Sequence, residues 1–270
     1  MLSLFRKRAA PEPAPPRTVP AGRRVYAVGD IHGRLDLLDD LIARIAADDA
    51  ARDTMRTDWV FLGDLVDRGP DSAGVIERVI RLSNERSHVR MLLGNHEEVF
   101  LNVLDGDHDA LRLFTRIGGR ETILSYGVSE HDYDHLDSAS LSARLREAVP
   151  EHHVAFLRRA EDVIEIGDYA FVHAGVCPGV DLADQRPADL RWIRNRFLRH
   201  DGDFGKLIVH GHTIADAPED LPNRIGIDTG AFTSGRLTAL GLEGDARWFL
   251  ATEPAAAKQD QRDGIRAAQR

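Results

Sequence analysis

The chain has 270 residues, of which 43% are hydrophobic and 29% charged, and it carries a formal net charge of −9 at pH 7. The proportions are those of an ordinary globular protein, and the acidic balance argues against a nucleic-acid or membrane-surface binder, because such proteins usually present a basic face. The single cysteine, Cys177, excludes an intrachain disulfide, and we find neither a membrane-length apolar run nor a secretion signal. We therefore expect a cytoplasmic protein that binds neither nucleic acid nor membranes.

The first third of the chain predicts strands and helices in alternation. RVYAV, from Arg24, and WVFL, from Trp59, predict strands, and VRMLL, from Val89, predicts a third. RLDLLDDLIARIAADDA, from Arg34, and SAGVIERVIRLSNE, from Ser72, predict helices, because their apolar residues recur at helical spacing. The segment before them, residues 1 to about 20, is rich in Pro, Ala and Arg and is expected to be a disordered tail.

The rest of the chain predicts helices followed by strands. Residues 98–160 have a helical and charged pattern, with a loop at HDYDHLD, from His131, and solvent-facing side chains at His152 and His153. Strand patterns return in YAFVHA, KLIVHGHT, RIGIDTGAF, LTALGLE and ARWFLAT. This order predicts an α/β protein with a mixed sheet or two packed sheets. We expect a single domain over residues 21–253 and a tail over residues 254–270.

Five apolar runs end in a cluster of Gly, Asp, Asn and His. The clusters are GDIHG from Gly29, GDLVDRG from Gly63, GNHE from Gly94, HAG from His173 and HGHT from His210. Because ligands bind beyond the carboxyl ends of strands in α/β sheets, these clusters predict one convergent site. Residues two apart on an extended backbone point the same way, so Asp30 and His32 can hold one ion. The neighbours Asn95 and His96 diverge, so one can bind metal while the other faces a substrate.

The donor types in these clusters predict the kind of ion. Carboxylate, imidazole and amide oxygen donors, without a thiolate, favour manganese, with iron or zinc as alternatives, and the number of donors favours two ions over one. A pair of divalent cations facing these aspartates would leave a positive pocket that attracts phosphate.

Taken in order, GDIHG, GDLVDRG, GNHE, HAG and HGHT resemble the signature of the phosphoprotein phosphatase (PPP) family of metallophosphoesterases, in particular its bacterial and lambda-phosphatase-like serine/threonine members. The resemblance spans about residues 25–240. It implies the calcineurin-like fold, an α/β architecture of two packed mixed β-sheets flanked by helices, with a dimetal site at the strand carboxyl ends.

The resemblance also implies which residues hold the ions. The matching positions are Asp30 and His32 for one ion, Asp64 as the bridging ligand, and Asn95, His173 and His212 for the second ion. His210 matches a non-ligand position and is expected to pack. The wider superfamily often carries a further histidine where this chain has Ile214, which favours the PPP branch. IDTGA, from Ile227, is expected to form a strand-end turn near the site without a catalytic role.

Other residues of the motifs match positions with roles in catalysis. Asp67 is expected to orient His96, the general acid that protonates the leaving group, while Arg68 grips the phosphate. Two bound ions would activate a water for direct attack on phosphorus, so no phosphoenzyme is expected. The family uses a second arginine, for which RWIRNRFL offers Arg194, with Arg196 as the alternative. A basic helix surface is the competing interpretation of this segment.

Three functions are open at this point. The leading one is a protein phosphatase acting on phosphoserine or phosphothreonine, with phosphotyrosine as a further candidate. The alternative is a symmetrical dinucleoside tetraphosphate (Ap4A) hydrolase, which typically carries VARG where this chain has Val66-Asp67-Arg68-Gly69, although some nucleotide hydrolases keep the aspartate. A non-catalytic scaffold is disfavoured because every ligand position is filled. The expected partner is a phosphoprotein or phosphopeptide, and the expected state is a monomer.

Overall fold

The computed structural model describes residues 16–253, apart from the side chain of residue 108. Residues 1–15 of the predicted N-terminal tail and the whole predicted C-terminal tail, residues 254–270, lie outside the described residues. The strands are β1 (Arg23–Val28), β2 (Arg56–Phe61), β3 (Val89–Met91), β4 (Ile164–Ile166), β5 (Tyr169–Phe171), β6 (Leu207–His210), β7 (Glu219–Asp220), β8 (Arg224–Gly226), β9 (Thr238–Glu243) and β10 (Ala246–Ala251). The helices are α1 (Leu35–Ala50), α2 (Ser72–Glu85), α3 (Asn95–Leu104), α4 (His108–Ile117), α5 (Gly119–Ser125), α6 (Glu130–His135), α7 (Ser138–Ala148), α8 (Glu151–Leu157), α9 (Pro187–Trp192), α10 (Asn195–Leu198) and α11 (Ala231–Ser234).

The strands form two mixed sheets of five strands each. The first has the order β10-β9-β1-β2-β3, in which β1, β2 and β3 are parallel. The second has the order β4-β5-β6-β8-β7, in which β5, β6 and β8 are parallel. Each sheet therefore has three neighbouring strands whose carboxyl ends share one edge, and the loops after these strands carry the predicted site residues.

The two sheets pack face to face between layers of helices. Val25 and Ala27 of β1 share one buried apolar cluster with Phe171 of β5 and Val209 of β6. Tyr26, between them in sequence, belongs to the cluster formed with the helices of the first half of the chain. This alternation follows from the two-residue period of a strand. The far face of the second sheet packs against α9 and α10. The predicted fold class, two packed mixed sheets flanked by helices, is confirmed.

Side-chain caps determine where several helices begin. The Asp71 carboxylate accepts the N–H of Gly74 in the first turn of α2, and Ser129 accepts the N–H of Asp132 in α6. Because of this second cap, the loop predicted at HDYDHLD is wrong for residues 131–135, which are helical. None of the helices in residues 16–253 has the length and apolar character needed to cross a membrane.

The packed domain starts before residue 21. Val19 is buried, and its N–H donates to the carbonyl of Gly244 at 3.0 Å. The carbonyl of Thr18 accepts the N–H of Asp168 at 2.9 Å. Gly244 lies between two strands of the first sheet and Asp168 between two strands of the second, so backbone bonds fasten this segment to both. The predicted boundary is a few residues late, because such bonds leave no apolar pattern in the sequence.

His153 is buried, with 4% of its surface exposed, and its predicted exposure is wrong. Its Nδ1 lies 2.9 Å from the Tyr126 hydroxyl oxygen, and its Nε2 lies 3.2 Å from a carboxylate oxygen of Glu77. Glu77 lies on α2 and Tyr126 directly follows α5, so the sequence around the histidine could not reveal these partners.

Candidate active site

Five non-glycine residues in the described part of the chain have a positive φ, and all five lie in the predicted site. They are His32 (47°), Asp64 (49°), Asp67 (74°), Arg68 (69°) and His212 (62°). This backbone conformation is uncommon for residues with a side chain and costs on the order of 1–3 kcal/mol at each position. The sharp turns that follow β1, β2 and β6 bring side chains from both sheets into one pocket.

Asp64 lies at the centre of this pocket, and its two carboxylate oxygens face different histidines. Oδ2 lies 3.6 Å from Nε2 of His32, and Oδ1 lies 3.4 Å from Nε2 of His173. Asp64, His173 and His212 form one group whose ligand atoms lie within 4.8 Å of one another. A carboxylate that presents one oxygen to each ion can bridge them, so the geometry fits Asp64 as a ligand shared by two ions.

Backbone carbonyls determine the tautomers of two histidines. Nδ1 of His32 lies 2.8 Å from the carbonyl oxygen of Val66, and Nδ1 of His173 lies 2.8 Å from that of Leu62. Because a carbonyl can only accept, each Nδ1 carries a proton and donates it. Each Nε2 then faces Asp64, which is how a metal-binding imidazole is usually oriented by its second nitrogen.

Several buried atoms of the pocket lack a suitable partner among residues 16–253. Oδ1 of Asp30 and Nε2 of His212 have no hydrogen-bond partner, although Oδ2 of Asp30 accepts the His212 N–H at 2.9 Å. Oδ1 of Asn95 lies 2.9 Å from Nε2 of His173, so a neutral His173 with its proton on Nδ1 would turn two acceptors toward one another. Buried polar atoms normally have partners. Divalent cations would satisfy these atoms, and the six predicted ligands therefore fit a pair of ions.

The charge state of the pocket also suits cations. Burial lowers the pKa of His32 to about 3 and the pKa of His212 to about 2, so both are neutral at pH 7, as metal binding requires. Burial opposes protonation of His173, but the Asp64 carboxylate outweighs it and raises the pKa. Burial and neighbouring carboxylates raise the pKa of Asp30. Positive ions would favour the ionised form of these crowded acids.

Glu97 is a structural residue of the site to which the motif analysis gave no role. Its buried carboxylate accepts four backbone N–H groups. The donors are Asp64 (2.8 Å), Leu65 (2.7 Å), Val66 (3.2 Å) and Gly94 (3.1 Å). It thereby joins the β2–α2 loop to the first turn of α3. A glutamate at the third position of a helix is the sequence signal that could have indicated this role.

The predicted general acid contacts the predicted aspartate. Nδ1 of His96 lies 2.6 Å from Oδ2 of Asp67. The hydroxyls of Ser72 and Thr122, which the sequence motifs did not indicate, hold Asp67. The Asp67 N–H donates to both hydroxyl oxygens, and Thr122 Oγ1 donates to Oδ1 of Asp67 at 2.7 Å. Burial opposes protonation of His96, but Asp64 and the contact with Asp67 outweigh it and raise the pKa of His96.

Arg68 lies between His96 and Phe232. Its Nη2 is 3.0 Å from Nε2 of His96, and its guanidinium carbon lies 4.7 Å from the centroid of the Phe232 ring. Phe232 also contacts His32 edge-on, with ring centroids 5.4 Å apart. Together with Arg34, Phe232 lines a cleft of about 680 Å³ beside the pocket. No sequence pattern singles out Phe232, because its neighbours come from other segments.

Arg194 reaches the pocket, whereas another arginine of the same segment is engaged elsewhere. Nη1 of Arg194 lies 3.5 Å from the carbonyl oxygen of His212. Arg191 forms ion pairs with Glu98 and Asp162. Arg196 is exposed on α10. The position of Arg194 is compatible with the predicted contact to phosphate, which stays a prediction.

Two further residues of the motifs lie around the pocket. His210 is buried, its Nδ1 lies 3.0 Å from the carbonyl oxygen of Gly211, and it belongs to none of the candidate ligand groups in residues 16–253. Asp228 is also buried, and its carboxylate accepts the N–H of Gly230 at 2.9 Å. The charge of Asp228 contributes to the raised pKa of Asp30. Asp228 therefore lies beside the predicted metal ligands.

Comparison with known proteins identifies the family. The calcineurin-like phosphoesterase family matches residues 23–219. The chain therefore belongs to this family and is a metallophosphoesterase, which agrees with the fold and with the candidate dimetal ligands.

The relatives carry two kinds of name. The chain is 26% identical over 239 residues to the bis(5'-nucleosyl)-tetraphosphatase PrpE (asymmetrical) of Anoxybacillus flavithermus, a match that covers 79% of this chain and 88% of that protein. It is 28% identical over 232 residues to serine/threonine-protein phosphatase 1 of Salmonella typhimurium, covering 82% of this chain and 93% of that protein. A solved structure provisionally named as a diadenosine tetraphosphatase matches with a TM-score of 0.61 and 21% identity, covering 89% of this chain and 100% of that one. At this identity the structural likeness shows the fold alone.

Gly211→Ala should weaken metal binding, because an added Cβ would lie 2.0 Å from Oδ1 of Asp30 and displace that carboxylate. We expect the apparent affinity for metal to fall by about 10–100-fold. Elemental analysis of the metal that the protein retains after dialysis measures this change. The control is Gly127→Asn, because asparagine tolerates the φ of +82° there and nothing lies within 4 Å. Equal metal retention in the two variants would contradict the prediction.

Glu97→Gln should destabilise the protein itself. The amide keeps the shape of the side chain but loses the charge and one acceptor oxygen, so we expect the free energy of unfolding to fall by on the order of 3 kcal/mol. Burial raises the pKa of Glu97 to about 7, so urea unfolding of metal-free protein should be measured above that pH, where the carboxylate is ionised. Glu98→Gln is the matched control: Glu98 is partly exposed and pairs with Arg191, so its replacement should cost less than about 1 kcal/mol. Comparable losses of unfolding free energy in both variants would contradict this structural role of Glu97.

Proposed function

We propose that the chain is a metal-dependent phosphomonoesterase that removes phosphate from phosphoserine and phosphothreonine in proteins or peptides, with phosphotyrosine as a further substrate. The observation that carries this proposal is the 2.6 Å contact between Nδ1 of His96 and Oδ2 of Asp67. A serine or threonine ester leaves as an alkoxide, which needs a proton in the transition state. A nucleotide leaves as a stable phosphate anion and needs this help less. A buried histidine–aspartate pair therefore suits the alkyl ester.

The ions would be held by the ligands already described, which are Asp30, His32, Asp64, Asn95, His173 and His212. We propose manganese, because the donors are carboxylate, imidazole and amide without a thiolate. When bound, such ions activate water and neutralise charge on the phosphoryl group.

His96 and Arg68 can act together on the substrate. Nε2 of His96 and Nη2 of Arg68 are 3.0 Å apart, so with His96 protonated both N–H groups would be satisfied by an anionic oxygen placed between them. Asp67 accepts the other imidazole proton and keeps Nε2 as the nitrogen that donates to the leaving oxygen. Arg194, beside His212, would contact a further phosphate oxygen. The guanidinium groups thus orient the phosphoryl group, and His96 protonates the departing alkoxide.

A second candidate is hydrolysis of dinucleoside tetraphosphates. Several relatives are named as asymmetrical bis(5'-nucleosyl)-tetraphosphatases. The observation that favours it in this chain is the cleft beside the pocket, where Arg34 and the ring of Phe232 could receive a nucleotide's phosphates and base. The sequence had suggested symmetrical cleavage as the alternative, and cleavage products distinguish the two modes.

A substrate comparison separates the two candidates. With one manganese-loaded sample, we expect a higher kcat/KM for a phosphoserine or phosphothreonine peptide than for diadenosine tetraphosphate, because only the first uses the His96–Asp67 pair fully. Phosphate release and chromatography of nucleotide products measure the two rates. A clear preference for the dinucleotide would overturn the ranking, and its products would then show whether cleavage is symmetrical.

The effect of His96→Asn on turnover should depend on the leaving group of the substrate. We expect turnover of an alkyl phosphate to fall by about 10²–10⁴-fold, and turnover of an aryl phosphate to fall much less, because its leaving group needs little protonation. Elemental analysis should show that the variant keeps the metal content of the wild type. Equal losses on both substrates would rule out the general-acid role.

A further inference from the structure

A second group of metal-binding side chains lies outside the active site. Nε2 of His152 and Nε2 of His153, both on α8, lie 3.0 and 3.2 Å from the same carboxylate oxygen of Glu77 on α2. The three potential ligand atoms lie within 4.8 Å of one another. We propose that Glu77, His152 and His153 form a separate zinc-binding site that joins α2 to α8.

The spacing of the ligand atoms suits zinc. A tetrahedral zinc ion with bonds of about 2.0–2.1 Å to nitrogen and oxygen separates neighbouring ligand atoms by about 3.3 Å. The observed separations of 3.0 and 3.2 Å require only a small outward movement. Two imidazoles with one carboxylate also form a donor set that zinc uses, with the fourth position left to water. The side chain of His152 is 59% exposed, so solvent and ions can reach the site.

A partner for the second nitrogen of the buried histidine is already in place. Nδ1 of His153 lies 2.9 Å from the Tyr126 hydroxyl oxygen. When zinc binds Nε2 of a neutral His153, the imidazole proton would reside on Nδ1. The Nδ1–H group would then donate a hydrogen bond to the Tyr126 oxygen, so the histidine need not lose a proton. Such a second contact orients a metal-binding imidazole and increases its affinity.

The protonation states favour binding near neutral pH. Burial lowers the pKa of His153, which keeps it neutral. Hydrogen bonds from His152 and His153 lower the pKa of Glu77 to about 2, so it is ionised. The other oxygen of Glu77 accepts from Arg81 at 3.3 Å, which holds the carboxylate in place.

The site would brace a helix that supports the catalytic residues. Glu77 lies five residues, or about 7.5 Å, along α2 from Ser72, whose hydroxyl contacts the Asp67 N–H. An ion shared with α8 would hold this helix against a segment 75 residues away in sequence. Zinc at this site should therefore raise the melting temperature without taking part in catalysis.

Zinc counting tests the proposal. Metal-stripped protein is dialysed against buffered zinc, and bound zinc is measured by elemental analysis. We expect the wild type to bind one more zinc ion per chain than either His152→Asn or Glu77→Gln, since the dimetal site contributes equally in all three. Thermal unfolding should show that zinc stabilises the wild type more than these variants. His152 is exposed, so its replacement should not prevent folding.

Two further variants distinguish a metal site from a set of hydrogen bonds. Tyr126→Phe keeps the ring and should lower the affinity for the additional zinc ion by about 10–100-fold. His131→Asn is the matched control, because His131 is exposed beside His135 on α6 and lies in no candidate ligand group of residues 16–253. Its zinc content should equal that of the wild type. If the wild type, His152→Asn and Glu77→Gln bind the same number of zinc ions, the proposal is wrong.

Discussion

The carboxylate of Glu97 joins the β2–α2 loop, which carries the predicted bridging ligand Asp64, to Gly94, the residue that precedes α3. It accepts the N–H groups of three consecutive residues, Asp64 to Val66, as well as that of Gly94. These groups lie in a buried turn where neither a sheet nor a helix can receive them, and each would cost about 1–3 kcal/mol if left unpaired. Glu97 therefore holds Asp64 close to Asn95, and the His96 N–H, which donates to Oδ1 of Asp64 at 3.2 Å, adds a second link between the same two segments.

The neighbouring loops stabilise one another in the same way. The carbonyl of Asp64 accepts the N–H groups of Ile31 and His32 at 3.0 and 2.9 Å, and the carbonyl of Leu65 accepts that of Gly33 at 2.8 Å. Each left-handed residue is unfavourable alone, and such strain persists only where surrounding contacts determine the backbone completely. The bonds between the β1–α1 and β2–α2 loops supply those contacts for His32 and Asp64. Ligands held this rigidly need little rearrangement when ions or substrate bind.

The sequence patterns predicted those features of the fold that depend on residues close together in sequence. The bounds of α2, Ser72–Glu85, follow from its helical period and from the Asp71 cap, and the motif residues converge because each follows a parallel strand. Long-range contacts had no such signal. Thr122 reaches Asp67 across 55 residues of sequence, and Phe232 meets Arg68 only because α11 folds over the β2–α2 loop. The two-residue strand β7 is also too short to show a period.

The chemistry at phosphorus and the choice of substrate depend on different parts of the molecule. The predicted metal ligands would act on any phosphoryl group, so their geometry alone does not separate a phosphopeptide from a dinucleotide. Two features do bear on that choice: the proton that we propose His96 delivers, and the cleft beside Phe232. Asp67 is oriented by the neutral hydroxyls of Ser72 and Thr122 rather than by a cation, so its negative charge remains available to stabilise a protonated His96. That arrangement is useful mainly for a leaving group that needs a proton, which is why we propose a phosphomonoester rather than a dinucleotide as the substrate.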